Sequence, residues 1–272
     1  MPATDSLYLS KAAQWAPYYA ILQQELGATA TLLNFGNQRE AGVVNAATWT
    51  GHKFSATGLS PVWTPNEALS AWDTPFDLRN PANYLGLAPI LTFNGTDERA
   101  TTPDNAFFSR VGGVCSWGVW VNLKDATNST LLAKYTAASQ RGYILSIGSG
   151  DQLTVDLFDE TADVWLTTTA DAVMPQGAWQ FVTVTYDGSA DATGLNLYQQ
   201  GALVASTDAD DVNFVSWRDT TSAVELGSYD ITNAFFDGKM LGGPWSPFFV
   251  QVELTAAQVS NIYQHMRLGL GI

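Results

Sequence analysis

The chain has 272 residues, of which 46% are hydrophobic and 12% are aromatic, so it has ample material for a buried core. Its 26 acidic and 12 basic residues give a formal net charge of −14, which argues against a nucleic-acid partner because a polyanion is repelled over most of such a surface. The single cysteine, Cys115, lies in an apolar segment and is expected to be buried, and one cysteine excludes a disulfide within the chain.

Residues 1–28 differ from the rest of the chain and are predicted to form an N-terminal helical arm. Apolar residues recur there at helical spacing, among them Leu7, Trp15, Ile21 and Leu22. Pro17 is expected to kink or split the helix. Two alternatives stay open: the arm packs on its own domain, or it docks onto a neighbouring subunit.

The N-terminal sequence lacks the basic start and the continuous apolar stretch of a secretion signal. No apolar run is long enough to span a membrane. We therefore expect a protein that is cytoplasmic when synthesised and reaches a virion or the extracellular space by a route such as lysis. The alternatives are a protein that works inside the cell that makes it and a mature fragment of a longer chain.

The sequence pattern of residues 29–272 predicts one β domain. Residues 60–89 interrupt it, and we interpret them as a loop insertion because they contain two tryptophans, whereas flexible linkers are poor in large aromatics. Short strands are then predicted at 90–94, 98–102, 114–123, 130–135, 142–147, 152–158, 163–169, 179–186, 194–199, 202–207, 223–227, 235–241 and 247–253. Such regular short strands favour a sandwich or jelly roll.

The clearest strand signal is at residues 179–186. Its side chains alternate between Trp179, Phe181, Thr183 and Thr185 on one face and Gln180, Val182, Val184 and Tyr186 on the other. Gly188 and Gly201 suit the two reversals that follow, because glycine takes positive φ without a Cβ clash. This segment therefore predicts three antiparallel strands in succession.

A short C-terminal helix is predicted from a clean start signal. Thr255 and Gln258 match a capping box, and the residues after them form one apolar stripe of Val259, Ile262, Tyr263 and Met266. We interpret the stripe as core that lies against the β domain.

Short matches in a fixed order connect the chain to a known family: Ala46–Trp49, Leu91–Asp97, Trp117–Val121, Trp179–Gly188, Phe236–Gly238 and Leu254–Thr255. The chain resembles laminin G-like, concanavalin A-type jelly-roll domains, which occur in lectins, adhesins and virion proteins. The resemblance covers roughly residues 40–265. It implies an all-β antiparallel β-sandwich jelly roll that binds glycans or proteins, often with calcium, and a fold so widely shared does not fix one function.

No catalytic site is expected. Glycosidases of this architecture place carboxylates at alternate positions of one strand, and no glutamate here has another at i+2 or i+4. The nearest candidate is Asp156 with Asp159 and Glu160, whose spacing indicates a strand end that turns into a solvated loop. With only two histidines and no nucleophile motif, a histidine-based triad is improbable.

Calcium is the candidate cofactor, because hard oxygen ligands are plentiful. First and last strands of a jelly roll often pair, so one predicted site comprises Asn94, Asp97 and Asp237. A second is the loop containing Asp208, Asp210 and Asp211. Solvated acidic loops are the alternative reading of both groups.

Loop tryptophans form a further group of candidates. Trp63, Trp72, Trp217 and Trp245 lie in loop-like or Gly/Pro-flanked contexts. They either pack beneath long loops or contact a ligand or another subunit.

We expect a non-catalytic interaction module. It would be a component of a larger assembly such as a phage virion, as a capsid decoration, fibre or tail protein. Its partners would be other protein subunits in an oligomer or lattice, and glycans or a host surface. The alternatives are a free-standing carbohydrate-binding lectin or adhesin, and a glycoside hydrolase or lyase.

Overall fold

The structure, a computed structural model, describes part of the chain: residues 64–65, 84–85, 88–102, 104, 108, 113–136, 139–230, 234–241 and 246–272. The predicted arm at 1–28 and most of the predicted insertion at 60–89 lie outside the described residues.

The described part is almost entirely β-structure, closed by one helix. Its strands, in chain order, are β1 Thr64–Pro65, β2 Tyr84–Leu85, β3 Ala88–Asn94, β4 Ala100–Thr102, β5 Cys115–Asp125, β6 Ser129–Thr136, β7 Gln140–Ile147, β8 Gln152–Asp159, β9 Val164–Val173, β10 Trp179–Tyr186, β11 Leu195–Gln199, β12 Ala202–Leu203, β13 Ser206–Ala209, β14 Val224–Leu226, β15 Asp237–Leu241 and β16 Phe248–Val250. The helix, α1, is Ala256–Leu270.

These strands form two sheets with antiparallel neighbours. Sheet I has the order β1-β4-β14-β6-β7-β8-β9-β13. Sheet II has the order β12-β11-β10-β5-β15-β3-β2, with β16 also paired to β5. Each sheet turns one face toward the other, and the side chains between them form the main core.

Aromatic residues fill the centre of this core. Trp117 and Tyr143 lie 5.3 Å apart between ring centroids, and both lie 6.0 Å from Phe249. Cys115 is fully buried in the same core, as predicted. The predicted all-β sandwich is confirmed.

Strand β10 shows how the alternating sequence builds both layers. Val182, Val184 and Tyr186 face the inter-sheet core, while Phe181 points to the outer side of sheet II. Gly188 and Gly201 have φ of 80° and 77°, as the reversals require. A Cβ on Gly201 would lie 2.8 Å from the Cβ of Tyr263, so this turn also approaches α1 closely.

The predicted strand at 202–207 is wrong in one respect, because it is two strands in different sheets. Ala202 and Leu203 pair with β11 in sheet II, whereas residues 206–209 pair with β9 in sheet I. The chain therefore crosses from one layer to the other between β12 and β13. Local alternation continues through such a crossing, so sequence periodicity does not reveal it.

Helix α1 covers the outer face of sheet II. Thr255 and Gln258 form the predicted capping box, with the Gln258 amide donating to the Thr255 hydroxyl at 3.3 Å. Val259, Ile262 and Met266 are buried against Trp120, Phe181 and Phe248. The apolar stripe is therefore core, as predicted.

A buried lysine joins sheet I to the segment before β14. Lys134 is fully buried, and its Nζ donates to the Thr220 hydroxyl and the Ser222 carbonyl, each at 3.1 Å. The same nitrogen lies 2.8 Å from a carboxylate oxygen of Asp104. Burial lowers the pKa of Lys134, although the hydrogen bond that Lys134 donates to Asp104 opposes that shift.

Candidate functional site

The outer face of sheet I carries a mixed aromatic and polar surface, which we call the open face. Alternation along β7, β8 and β9 sends one set of side chains into the core and the other outward. The outward set is Ile144, Ser146, Thr154, Asp156, Phe158, Trp165, Thr167 and Thr169. Across the strands, Ile144, Asp156 and Thr167 are direct neighbours, and so are Phe158 and Trp165.

Four aromatic residues gather at one end of the open face and form what we call the aromatic cluster. Tyr135 lies 5.3 Å from Phe158 and 5.3 Å from Tyr229, and Phe158 lies 6.3 Å from Trp165, between ring centroids. Phe158 is buried, but Trp165 is 49% exposed. The cluster therefore offers one large aromatic surface to solvent, supported from behind by packed rings.

One arginine packs against the aromatic cluster. The guanidinium of Arg141 lies 5.6 Å from the ring centroid of Phe158. Its Nε donates to Glu160 at 2.6 Å, and a terminal nitrogen donates to Asp163. These hydrogen bonds to Glu160 and Asp163 raise the pKa of Arg141, whose charge is thus compensated locally.

Hydroxyl groups follow the aromatic cluster across the same face. Ser146, Thr154, Thr169 and Thr207 are successive cross-strand neighbours on β7, β8, β9 and β13, and we call them the hydroxyl row. The hydroxyls of Thr154 and Thr169 lie 3.3 Å apart. Such groups both donate and accept hydrogen bonds, as a polyhydroxylated ligand requires.

Asp156 lies between the aromatic cluster and the hydroxyl row. It accepts a hydrogen bond of 2.5 Å from the Thr167 hydroxyl. Burial raises the pKa of Asp156, although this hydrogen bond opposes the shift. The open face thus has a carboxylate acceptor at its centre.

Asp159, by contrast, points to the other side of β8 and is fully buried. It accepts hydrogen bonds from the amides of Val215 and Ser216 and from Arg218 Nε at 3.1 Å. Burial alone would raise the pKa of Asp159, but these hydrogen bonds together lower it. The predicted strand end is present, yet Asp159 is buried rather than solvated, because its oxygens fix the neighbouring segment.

A profile of the concanavalin A-like lectin/glucanases superfamily matches residues 94–241, which is more than half of the chain. The chain belongs to this superfamily. No curated protein matches its sequence.

Solved structures share the concanavalin A-like fold at low sequence identity. One is of botulinum neurotoxin type C, whose cell entry is described as dependent on interaction with two ganglioside molecules (12% identity, TM-score 0.55, 86% of this chain and 51% of that chain). Another is the binding domain of botulinum neurotoxin serotype C1 (12% identity, TM-score 0.54, 89% of this chain and 52% of that chain). A third is the binding domain of Paraclostridial Mosquitocidal Protein 1 (16% identity, TM-score 0.47, 65% of this chain and 42% of that chain). The chain spans about half of these structures or less, and the likeness shows the fold alone.

In this concanavalin A-like domain, β3 and β15 are neighbours, so the first predicted calcium group is brought together. Asn94 and Asp237 are directly opposite. The side-chain oxygen of Asn94 accepts hydrogen bonds from the backbone amides of Thr96 and Asp97. The side-chain nitrogen of Asn94 donates to the Asp97 carboxylate at 2.9 Å. Asp237 pairs with Lys124 at 2.8 Å. The oxygens of Asn94 and Asp97 therefore already form hydrogen bonds within a turn, and those of Asp237 already form an ion pair.

The second predicted group is spread over separate partners. Asp208 accepts from the Thr168 hydroxyl, Asp210 from an amide nitrogen, and Asp211 from Asn213. Within the described residues, no three His, Cys, Asp or Glu side chains are grouped to hold a metal ion. Calcium binding stays a prediction, and a rise in melting temperature with calcium that EDTA reverses is its test.

The loop tryptophans divide by position. Trp217 is fully buried, 5.7 Å from Tyr143 between ring centroids, so the prediction of a ligand or subunit contact is wrong for it. It packs beneath its loop instead, because the segment around it folds back over the end of sheet I. Trp63, Trp72 and Trp245 lie outside the described residues.

Sequence reasoning missed the aromatic cluster. Trp165 lies between Val164 and Leu166, both of which are buried. This alternation was a usable signal, since a strand with core residues on both sides of a tryptophan turns that tryptophan to the opposite face.

Proposed function

We propose that this chain is a non-catalytic glycan-binding module and that the open face holds the sugar. The observation that carries the proposal is Trp165, a half-exposed indole on a sheet face that carries Asp156 near it and the hydroxyl row farther along the same strands. An indole offers its face to the apolar side of a sugar ring, while carboxylate and hydroxyl groups bond the ring hydroxyls. Membership of a superfamily that includes lectins supports this.

The fold neighbours agree with a binding role but do not carry it. The neurotoxin structure with ganglioside-dependent cell entry shares 12% identity, so its ligand is not transferred. The chain's own open face supplies the argument. No helix in the described part is long and apolar enough to cross a membrane.

A hydrolase is the weaker candidate. Asp156 and Asp159 are three residues apart on one strand and point to opposite sides of it, so they cannot flank one glycosidic bond. Asp159 is also committed to Arg218. Release of reducing ends from a polysaccharide panel, lost in Asp156→Asn, would replace the binding proposal with a catalytic one.

The binding test compares two exposed apolar side chains on opposite sides of the molecule. Trp165→Ala should weaken glycan binding at least about tenfold, because the sugar ring loses the indole on which it stacks. Leu268→Ala is the matched control, since Leu268 is 64% exposed on α1 and remote from sheet I. Calorimetry on hits from a glycan array measures both. Equal affinity for Trp165→Ala and the unaltered chain would reject the open face as the site.

A finer proposal concerns assembly. The sequence-predicted arm, with Leu7, Trp15, Ile21 and Leu22, would attach the module to other subunits of a virion or similar lattice. Light scattering on the full chain and on a variant lacking residues 1–28 tests this. Association of the full chain alone supports the arm as an attachment, and a monomeric full chain favours the free-standing lectin.

A further inference from the structure

Among the described residues, the strands that form the open face carry little free positive charge. The strands of sheet I contain two basic residues, Lys134 and Arg141. Lys134 is fully buried on the core side and paired with Asp104. Arg141 donates to Glu160 and Asp163, so its guanidinium is already neutralised.

Negative charge, in contrast, is distributed over the whole length of the face. Asp156 lies at its centre, and Asp171 lies farther along β9 on the same side, accepting from Thr207 at 3.0 Å. Glu160 and Asp163 stand at the end occupied by the aromatic cluster. Four carboxylates thus surround a surface with one compensated guanidinium.

Among the described residues of sheet I, no uncompensated cation would oppose these carboxylates when an acidic sugar approaches. Sialic acid, uronic acid and sulfate each carry a full negative charge near neutral pH, and like charges placed together across a binding surface disfavour the complex. A neutral oligosaccharide, however, needs only the indole of Trp165 for one ring and the donors and acceptors of the hydroxyl row for the next. Charge therefore separates two classes of glycan on this face.

We propose that the open face selects neutral saccharides and excludes those bearing sialic acid, uronic acid or sulfate. This inference rests on the proposed glycan-binding function and adds its substrate class. One sugar ring stacks on Trp165 within reach of Asp156, and further units of the saccharide extend along the strands to the hydroxyl row.

The test is an array of matched oligosaccharides, each present as a neutral form and as its sialylated, uronic-acid-containing or sulfated counterpart. The neutral members should bind, and their acidic counterparts should bind at least about tenfold more weakly at low salt. Equal or tighter binding of an acidic counterpart, lost in Trp165→Ala, would overturn the inference while leaving the site intact. Absence of binding to every member, or binding indifferent to Trp165→Ala, would instead reject the proposed function.

A charge variant tests whether the carboxylates are the cause of the weaker binding of acidic sugars. Asp171→Asn removes one exposed carboxylate beside the hydroxyl row without changing the side-chain shape. The ratio of acidic to neutral binding should rise about two- to fivefold, and added salt should narrow the same gap because it screens exposed charges. A ratio unaffected by both changes would show that charge does not exclude the acidic sugars.

Discussion

The two sheets turn chemically similar outer faces to very different surroundings. On sheet II, Trp120 and Phe181 are fully buried, with the ring of Tyr263 from α1 at 5.8 Å and 6.2 Å. On sheet I, Phe158 packs beside Trp165, which is 49% exposed, and no helix among the described residues lies over them. An outward aromatic residue is therefore core on one sheet and an available ligand surface on the other, and the covering element decides which.

The strongest test of this contrast is the same truncation on both faces. Trp120→Ala should cost about 3–5 kcal/mol of unfolding free energy, because it opens a cavity beneath α1. Trp165→Ala should cost less than about 1 kcal/mol, since half of the side chain is already in water. Urea unfolding measures both. A Trp165→Ala cost close to that of Trp120→Ala would mean that the open face is structural.

The next largest effect is expected on the inward side of β8. Asp159→Asn should cost about 2 kcal/mol at neutral pH, because a buried carboxylate loses charged hydrogen bonds. Since the folded-state pKa of Asp159 is lowered, its contribution is present at neutral pH and is lost as the pH falls through that pKa. Thermal unfolding should therefore show the variant and the unaltered chain converging in acid. A gap that persists at low pH would contradict this account of Asp159.

Loosening the cover of sheet II should have a smaller effect. Thr255→Ala removes the capping hydroxyl of α1 and should cost about 1 kcal/mol. Hydrogen exchange should accelerate in the first turn of α1 while that of β8 and β9 stays unchanged. Thr255→Ser keeps the hydroxyl and is the control. Faster exchange across both sheets in Thr255→Ala would show that the two faces are not independent.

The smallest effect is expected on the open face itself. Burial raises the pKa of Asp156, so its ionised form costs stability at pH values above that pKa, and the cost fades as the pH falls. Asp156→Asn keeps an acceptor for Thr167 and should raise the melting temperature at neutral pH by roughly 1–2 °C. A lower melting temperature would show that the charge of Asp156 stabilises the fold.

Much of the fold followed from local sequence, because local physics decides those features. Alternation predicted β10, and Thr255 with Gln258 predicted the start of α1. The neighbouring positions of Asn94 and Asp237 followed instead from the resemblance to jelly-roll domains, because the two residues are far apart in sequence.

The candidate site was much less predictable, since exposure depends on what lies over a side chain. Trp217, for which packing and ligand contact were both open, is buried, whereas Trp165, which was not among the predicted site residues, is 49% exposed. Asp156 and Asp159 differ by the parity of one strand and by the segment at Val215 that meets only one of them. The parity follows from alternation along β8, but a short window of sequence does not show which segment lies over either face.

The buried amine of Lys134 gives the molecule a built-in chemical reporter. Reagents that acylate primary amines reach Lys124 and Lys239 on the surface, but they reach Lys134 only when the segment at Thr220 and Ser222 lifts away. An acylated amine has lost its positive charge and cannot form its former bonds with Asp104 and Thr220, so the label is permanent. The rate at which Lys134 is acylated therefore measures how often this end of the sandwich opens.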